Sequence, residues 1–180
     1  MNDPNIFFTG VSGTLDAKAT AFRITGTSVS EEENAVLHWH IYIVEDENLS
    51  TIFDLTPGGP DGRIGVLIVK GIWRASDFSS KADIVFSAVK QVTCRDVLHT
   101  VQSLGRTRYR YTDDGSRCRY WCRTVLQDLV NEGYVAGDAV TAFDAFRIPL
   151  YIPFPPAKVH SIRITLFLLS LFPVFLTSSP

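Results

Sequence analysis

Residues 37–45 have the sequence LHWHIYIVE, in which large apolar side chains occupy every second position. One face of the extended chain carries Leu37, Trp39, Ile41 and Ile43, and the other carries His38, His40, Tyr42 and Val44. This period of two predicts a strand with one face in a core. Shorter patterns at 19–26, 51–55 and 64–69 predict an antiparallel meander of about four strands, with a weaker strand at 83–88 and a Pro- and Gly-rich loop at 56–62.

The length and composition of the chain restrict its class. Its 180 residues are typical of one domain, and an apolar fraction of 46% excludes a disordered protein. With 17 Lys and Arg against 19 Asp and Glu, the net charge is −2, so we expect no nucleic-acid partner. Three cysteines are too few, and odd in number, for a disulfide framework, which favours a reduced, cytoplasmic setting.

The second half of the chain has helical signals. Thr93 to Asp96 has the sequence of a capping box, apolar residues then recur at helical spacing, and Gly105 ends the pattern. A second helix is predicted at about 117–131, with Gly133 as its end, and a third, short helix at 137–147. Residues 109–111 predict one more strand. The predicted fold is α+β, with an antiparallel sheet of four to six strands and two or three helices on one face.

Composition divides the chain into three parts. Residues 1–18 are predicted to be a loose leader, residues 19–150 the single α+β domain, and residues 151–180 a Pro-rich hinge and an apolar tail. Within 164–176, ten of thirteen residues are Ile, Leu, Phe or Val, which is short of the roughly 20 that span a bilayer. Three alternatives stay open for this tail: a membrane contact, a buried terminal element, or a segment that is not native to the domain.

Cys118 has the position of an activated nucleophile. If Ser116 caps the second helix, Cys118 lies in its first turn, where free N–H groups and the positive end of the helix dipole favour a thiolate. Arg117 and Arg119 flank it and add positive potential. The alternative is that Cys118, like Cys122 one turn later, is a small buried apolar residue.

His38 and Asp54 are the candidate partners of this thiol. His38 lies on the strand face opposite Trp39, so it meets Cys118 only if the helices cover that face. Asp54 lies on the next strand, and a hairpin pairing would bring it close to His38 or His40, depending on the register. A carboxylate there would fix the imidazole tautomer and stabilise its protonated form.

The run His38-Trp39-His40-Ile41-Tyr42 resembles the His-Trp-x-Ile/Leu-Tyr strand of permuted papain-like thiol enzymes, such as the lecithin:retinol acyltransferase-like family. In that family an Ile-His-Leu-x-Pro strand follows, which Ile52–Pro57 matches loosely, and a Cys-x-x-Phe sequence begins a helix, to which Cys118–Trp121 is similar. The resemblance implies a permuted papain-like fold and a cysteine nucleophile. The chain departs from the family by Arg117 in place of Asn and by an aspartate as the orienting residue.

The stretch from about 37 to 133 resembles a family of fungal domains of unknown function. The resemblance is carried by His38–Tyr42, Asp54–Gly58 and Gly115–Trp121. It implies a shared fold and a fungal source but no activity. In such domains the segment 151–180 looks foreign.

The thiol hypothesis predicts acyl transfer, or hydrolysis of an amide or ester, on a small-molecule or peptide substrate without a cofactor. Cys118 would attack a carbonyl, His38 would transfer the proton, and Asp54 would orient His38. The oxyanion would be held by the backbone N–H of Cys118 and a loop donor. The residues predicted to contact the substrate are Trp39, His40, Tyr42, Arg117, Arg119 and Trp121.

Three other functions compete with this one. A non-catalytic binding or accessory domain would keep Trp39, Trp121 and Cys118 as core residues. His38 and His40 with Asp54 have the donor types of a metal site, although no metal is expected if the thiol acts. The arginines between 106 and 123, interleaved with aromatic residues, are compatible with a nucleic-acid surface or with a solvated edge strand.

Overall fold

The computed structural model describes residues 3–11, 14–32, 36–74, 80–111 and 117–146. Its strands are β1 (Ile6–Thr9), β2 (Ala21–Ser28), β3 (Leu37–Val44), β4 (Ser50–Gly58), β5 (Ile64–Ile72) and β6 (Ser80–Ser87). They form one sheet in the order β1-β5-β4-β3-β2-β6. The helices are α1 (Cys94–Ser103), α2 (Arg117–Asn131) and α3 (Ala139–Ala145). The predicted α+β class is confirmed.

One core joins the sheet to all three helices. The alternate residues of β3 that were expected to face a core, Trp39, Ile41 and Ile43, are each at most 2% exposed. They pack in one cluster with matching residues of the neighbouring strands and with the apolar sides of α1, α2 and α3. Because these strand residues share one face, the helices cover that face, while His38, His40 and Asp54 point to the other.

The sheet is mixed rather than wholly antiparallel. β1 pairs in parallel with β5, and it lies within residues 1–18, where the sequence predicts a loose leader. Its short sequence IFFT begins with three apolar residues in a row and therefore shows no alternation. Of these three, only Ile6 is buried, while Phe7 and Phe8 are exposed. Pairing with β5, rather than local pattern, therefore creates this edge strand.

The helix boundaries agree with the sequence signals. Thr93 forms the predicted capping box with Asp96, and Gly105 and Gly133 follow α1 and α2 with φ of 69° and 70°. In both cases the residue after the glycine donates its N–H back to the helix, Arg106 to Val101 and Tyr134 to Leu129. Glycine favours this left-handed ending because it has no Cβ.

Two predicted segments differ in the structure. Residues 109–111 form an isolated bridge, Arg110 with Ile64, instead of a strand. β4 continues through Pro57 to Gly58, within the predicted loop. Pro57 pairs with Gly65 of β5, and its nitrogen points toward β3. Because β3 and β4 have already separated at this point, no N–H is needed there for a ladder hydrogen bond, and proline is tolerated.

β3 and β4 separate halfway along their length, and this gap positions the candidate site. Their pairing runs from Val44–Ser50 to Ile41–Phe53. Beyond it, β3 stays paired with β2 as far as Leu37, and β4 stays paired with β5 as far as Gly58. Backbone groups of Leu37, Trp39 and Leu55 therefore face the gap instead of another strand.

Some expectations fall outside the described residues. These are the Ser116 cap, the Arg117 side chain and the segment 151–180. Among the helices that the structure describes, none has the length and apolar character needed to cross a bilayer.

Candidate functional site

The first turn of α2 enters the gap between β3 and β4. There the Cys118 Sγ accepts a hydrogen bond from the backbone N–H of Trp39 at 3.4 Å and lies 3.7 Å from the carbonyl oxygen of Leu37. Both backbone groups would have bonded to β4 if the strands had stayed together. The thiol therefore replaces a missing strand partner, which fixes its sulfur at the level of the sheet.

His38 and Asp54 approach this sulfur from the two sides of the gap. The Asp54 Oδ1 lies 2.7 Å from the His38 Nε2, in an ion pair whose side chains are 21% and 24% exposed. The same imidazole interacts electrostatically with Cys118 and lowers the pKa of its thiol. The structure thus brings together all three residues that the sequence predicted as a catalytic set, although the helices cover the other face of the sheet.

The electrostatics of the site favour a charged thiol and imidazole. The hydrogen bond to Asp54 and then the one to Cys118 raise the pKa of His38 from 6.5 to about 9, against the opposing effect of burial. Burial alone would raise the pKa of Cys118, but the bonds from His38 and the Trp39 N–H outweigh it, so that this pKa is lowered. Both shifts favour transfer of the Cys118 proton to His38.

The other two thiols have the opposite character. Burial raises the pKa of Cys94 to about 12 and raises the pKa of Cys122 well above its ordinary value. Both side chains are fully buried. Of the three cysteines, Cys118 is the one that is only partly buried.

His40 lies beside the pair without joining it closely. Its ring meets that of His38 edge to face at a centroid distance of 4.4 Å, and its Nε2 is 3.9 Å from the Asp54 Oδ1. The candidate ligand atoms of His38, His40 and Asp54 all lie within 4.8 Å of one another. Imidazole and carboxylate donors at this spacing suit Zn²⁺ or a similar divalent transition metal.

The predicted substrate contacts by aromatic residues do not fit the structure. Trp39 and Tyr42 are each 2% exposed and Trp121 is fully buried. The Trp121 Nε1 donates to the carbonyl of Arg106, so this indole supports the core rather than a ligand. A substrate could reach these rings only if the side chains packed around them moved apart.

Arg119 also has a structural position. Its guanidinium donates to the carbonyls of Phe143 and Phe146 at 3.1 and 2.9 Å. It also lies over the rings of Trp39 and Phe143. These contacts tie α2 to the C-terminal end of α3.

Two more arginines of the predicted basic patch pair within the molecule. Arg106 makes a bidentate contact with Asp128, and Arg123 does so with Asp144. Because these carboxylates already bind the two guanidinium groups, a phosphate would have to displace them.

Sequence reasoning missed one residue of the site, Tyr111. Its side chain is 4% exposed and its hydroxyl donates to the carbonyl of Leu55 at 2.7 Å. The sequence predicted only a short strand here. A tyrosine that bridges to a strand about 55 positions away leaves no local pattern.

These features define an α+β protein with a cysteine, a histidine and an aspartate gathered where a helix begins between two parted strands. The chain belongs to the family described as Domain of unknown function (DUF7770), whose model matches residues 22–162. The match continues past residue 150, where composition placed the domain boundary. No curated protein and no solved structure matches the chain significantly.

Proposed function

We propose that this protein is a cysteine-dependent acyl transferase or amide or ester hydrolase. The observation that carries the proposal is a single imidazole, His38, which contacts the Asp54 carboxylate at 2.7 Å and is electrostatically coupled to the Cys118 thiol. Nucleophilic catalysis on a carbonyl needs three groups in series: a nucleophile, a base that accepts its proton, and a group that orients the base. The permuted papain-like resemblance of the sequence agrees with this chemistry.

The two ring nitrogens of His38 have separate tasks. Asp54 takes Nε2, so Nδ1 is left for the sulfur. In the charged pair, Nε2–H donates to the carboxylate and Nδ1–H to the thiolate. Asp54 thereby holds the ring with one N–H toward Cys118 and stabilises its positive charge.

Acylation then follows from this geometry. The Cys118 thiolate attacks the carbonyl carbon of the substrate, and the carbonyl electron pair moves onto oxygen. As the oxyanion collapses, the bond to the leaving amine or alkoxide breaks and His38 gives that group its Nδ1 proton. The product is a thioester on Cys118 with His38 neutral.

Deacylation reverses the proton movement. Neutral His38 takes a proton from water or from an acceptor alcohol or amine, which attacks the thioester carbon. The thiolate leaves, the acid or the transferred acyl product departs, and the thiolate–imidazolium pair is restored. Backbone N–H groups in the first turn of α2, that of Cys118 first, are the donors available to the oxyanion.

An acyl-enzyme experiment tests this function. The protein is mixed with p-nitrophenyl acetate at pH 7, and the released nitrophenol and the intact mass are followed. We expect a burst of nitrophenol and one acetyl group on Cys118, both lost in Cys118→Ser. A Cys94→Ala variant is the control, because that buried thiol should leave the burst unchanged. Acetylation spread over lysines, with no burst, contradicts the proposal.

The cluster of His38, His40 and Asp54 supports a second candidate, a divalent metal site. Zn²⁺ would use the same imidazole and carboxylate as the thiol chemistry. The site could therefore not bind the metal and carry out the thiol chemistry at the same time. Calorimetric titration with ZnCl₂ separates them. Binding retained in Cys118→Ser and lost in His40→Asn supports the metal site, and equal binding by all three proteins excludes it.

A further inference from the structure

The carboxylate of the candidate site lies on a part of β4 that lacks its usual neighbour. Pairing with β3 stops at Phe53, one residue before Asp54. The next residue, Leu55, directs its backbone carbonyl into the gap. A carbonyl buried without a donor is costly, and a strand held from one side alone twists more freely. A donor for this carbonyl would therefore support the stretch of β4 that carries Asp54, which is otherwise held only by its pairing with β5.

Tyr111 supplies the donor. Its hydroxyl bonds to the Leu55 carbonyl at 2.7 Å inside the core. The backbone around Tyr111 is itself fixed to the start of β5, since Tyr111 N–H donates to Arg63 at 2.8 Å and Gly65 N–H donates to Tyr109 at 2.7 Å. The phenol therefore joins two anchored segments, with one end on β5 and the other on the free side of β4.

The phenol keeps its proton under all conditions relevant to the site. Burial raises the pKa of Tyr111, and the negative charges of Cys118 and Asp54 raise it further. The bond to Leu55 is thus a permanent donor contact beside the site.

We propose that Tyr111 is a positioning residue, which holds Asp54 against His38 through the Leu55 carbonyl. This inference rests on the proposed function, because it assigns Tyr111 a task in that site. The peptide plane that contains the Leu55 carbonyl is joined to the Asp54–Leu55 peptide through the Leu55 Cα, so anchoring this carbonyl restrains the backbone next to Asp54. The Nε2–Oδ1 distance of 2.7 Å leaves little tolerance for movement of this backbone.

A double-mutant cycle tests the proposal. The rate of Cys118 alkylation by iodoacetamide is measured at pH 7 in the full chain, in the presence of a chelator. The proteins are the wild type, Tyr111→Phe, Asp54→Asn and the double variant. We expect Tyr111→Phe to slow alkylation about tenfold in the wild-type background and less than about twofold in the Asp54→Asn background, because the residues act in series. Tyr134→Phe, a tyrosine packed on the same core far from the gap, is the control and should have no effect.

The outcomes separate this inference from the proposed function. An equal effect of Tyr111→Phe in both backgrounds means that the phenol acts independently of Asp54 and overturns the positioning role. No effect in either background overturns it as well. If the wild-type thiol reacts slowly, the proposed function fails. The NMR titration of the His38 ring then still tests the contact: a lower His38 pKa in Tyr111→Phe supports it, and an unchanged pKa removes it.

Discussion

Asp54 has two histidines within reach and binds one of them. If the register of Ile41 with Phe53 continued, Asp54 would lie opposite His40. The strands part at this point, and the carboxylate instead contacts His38 at 2.7 Å while His40 stays at 3.9 Å. A local loss of strand pairing thus decides which imidazole makes the closer contact with the Asp54 carboxylate.

The same selection explains the pH behaviour expected of His38. Its pKa of about 9 in the folded protein exceeds the 6.5 of an ordinary histidine, so the folded state holds this proton more tightly than the unfolded one. The resulting stabilisation is fully present below about pH 6.5 and is lost as the pH rises through about 9. His38 is therefore protonated across the neutral pH range, as the proposed chemistry requires.

At the scale of elements, α1 and α2 follow directly from their sequences. The capping box at Thr93 and the two glycine endings are short-range chemistry, which a single sequence displays in full. β3 is equally local, because its alternation sets which face is buried. Elements of this kind form where the sequence indicates them.

The capping box allows a prediction for the stability of α1. Replacing Thr93 with alanine removes the side chain that accepts the Asp96 N–H, and we expect the free energy of unfolding to fall by about 1 kcal/mol. Urea denaturation at neutral pH measures this change. The matched control is Thr124→Ala inside α2, where the hydroxyl bonds the preceding turn and alanine is the better helix former, so stability should not fall. Equal losses in both variants would contradict the capping role.

The elements that sequence reasoning missed depend on tertiary contacts. β1 has four residues and exists through its pairing with β5, and the continuation of β4 through Pro57 depends on the absence of β3 beside it. The isolated bridge at Arg110 replaces a predicted strand, because one residue pair with Ile64 is all that forms. None of these outcomes has a signature within its own segment.

At the scale of the whole molecule, the site is a consequence of where the helix layer meets the sheet. Cys118, His38 and Asp54 could be named from the sequence because each has a recognisable local position: a helix start, a strand face and the following strand. The gap between β3 and β4 could not be predicted from the sequence. Without it, helices on the Trp39 face would leave His38 on the far side from the thiol, and the set could not assemble.

If His38 activates Cys118, the rate of thiol alkylation must depend on pH and on His38. Iodoacetamide labelling is followed by mass spectrometry from pH 5 to 10 in the wild type, Cys118→Ser and His38→Asn. We expect a fast component on Cys118 with an apparent pKa below that of an ordinary cysteine thiol. It should be absent in Cys118→Ser and shifted to higher pH in His38→Asn, because His38 then no longer offsets the effect of burial. Equally slow labelling of all three thiols, or a fast component that persists unchanged in His38→Asn, would contradict the claim.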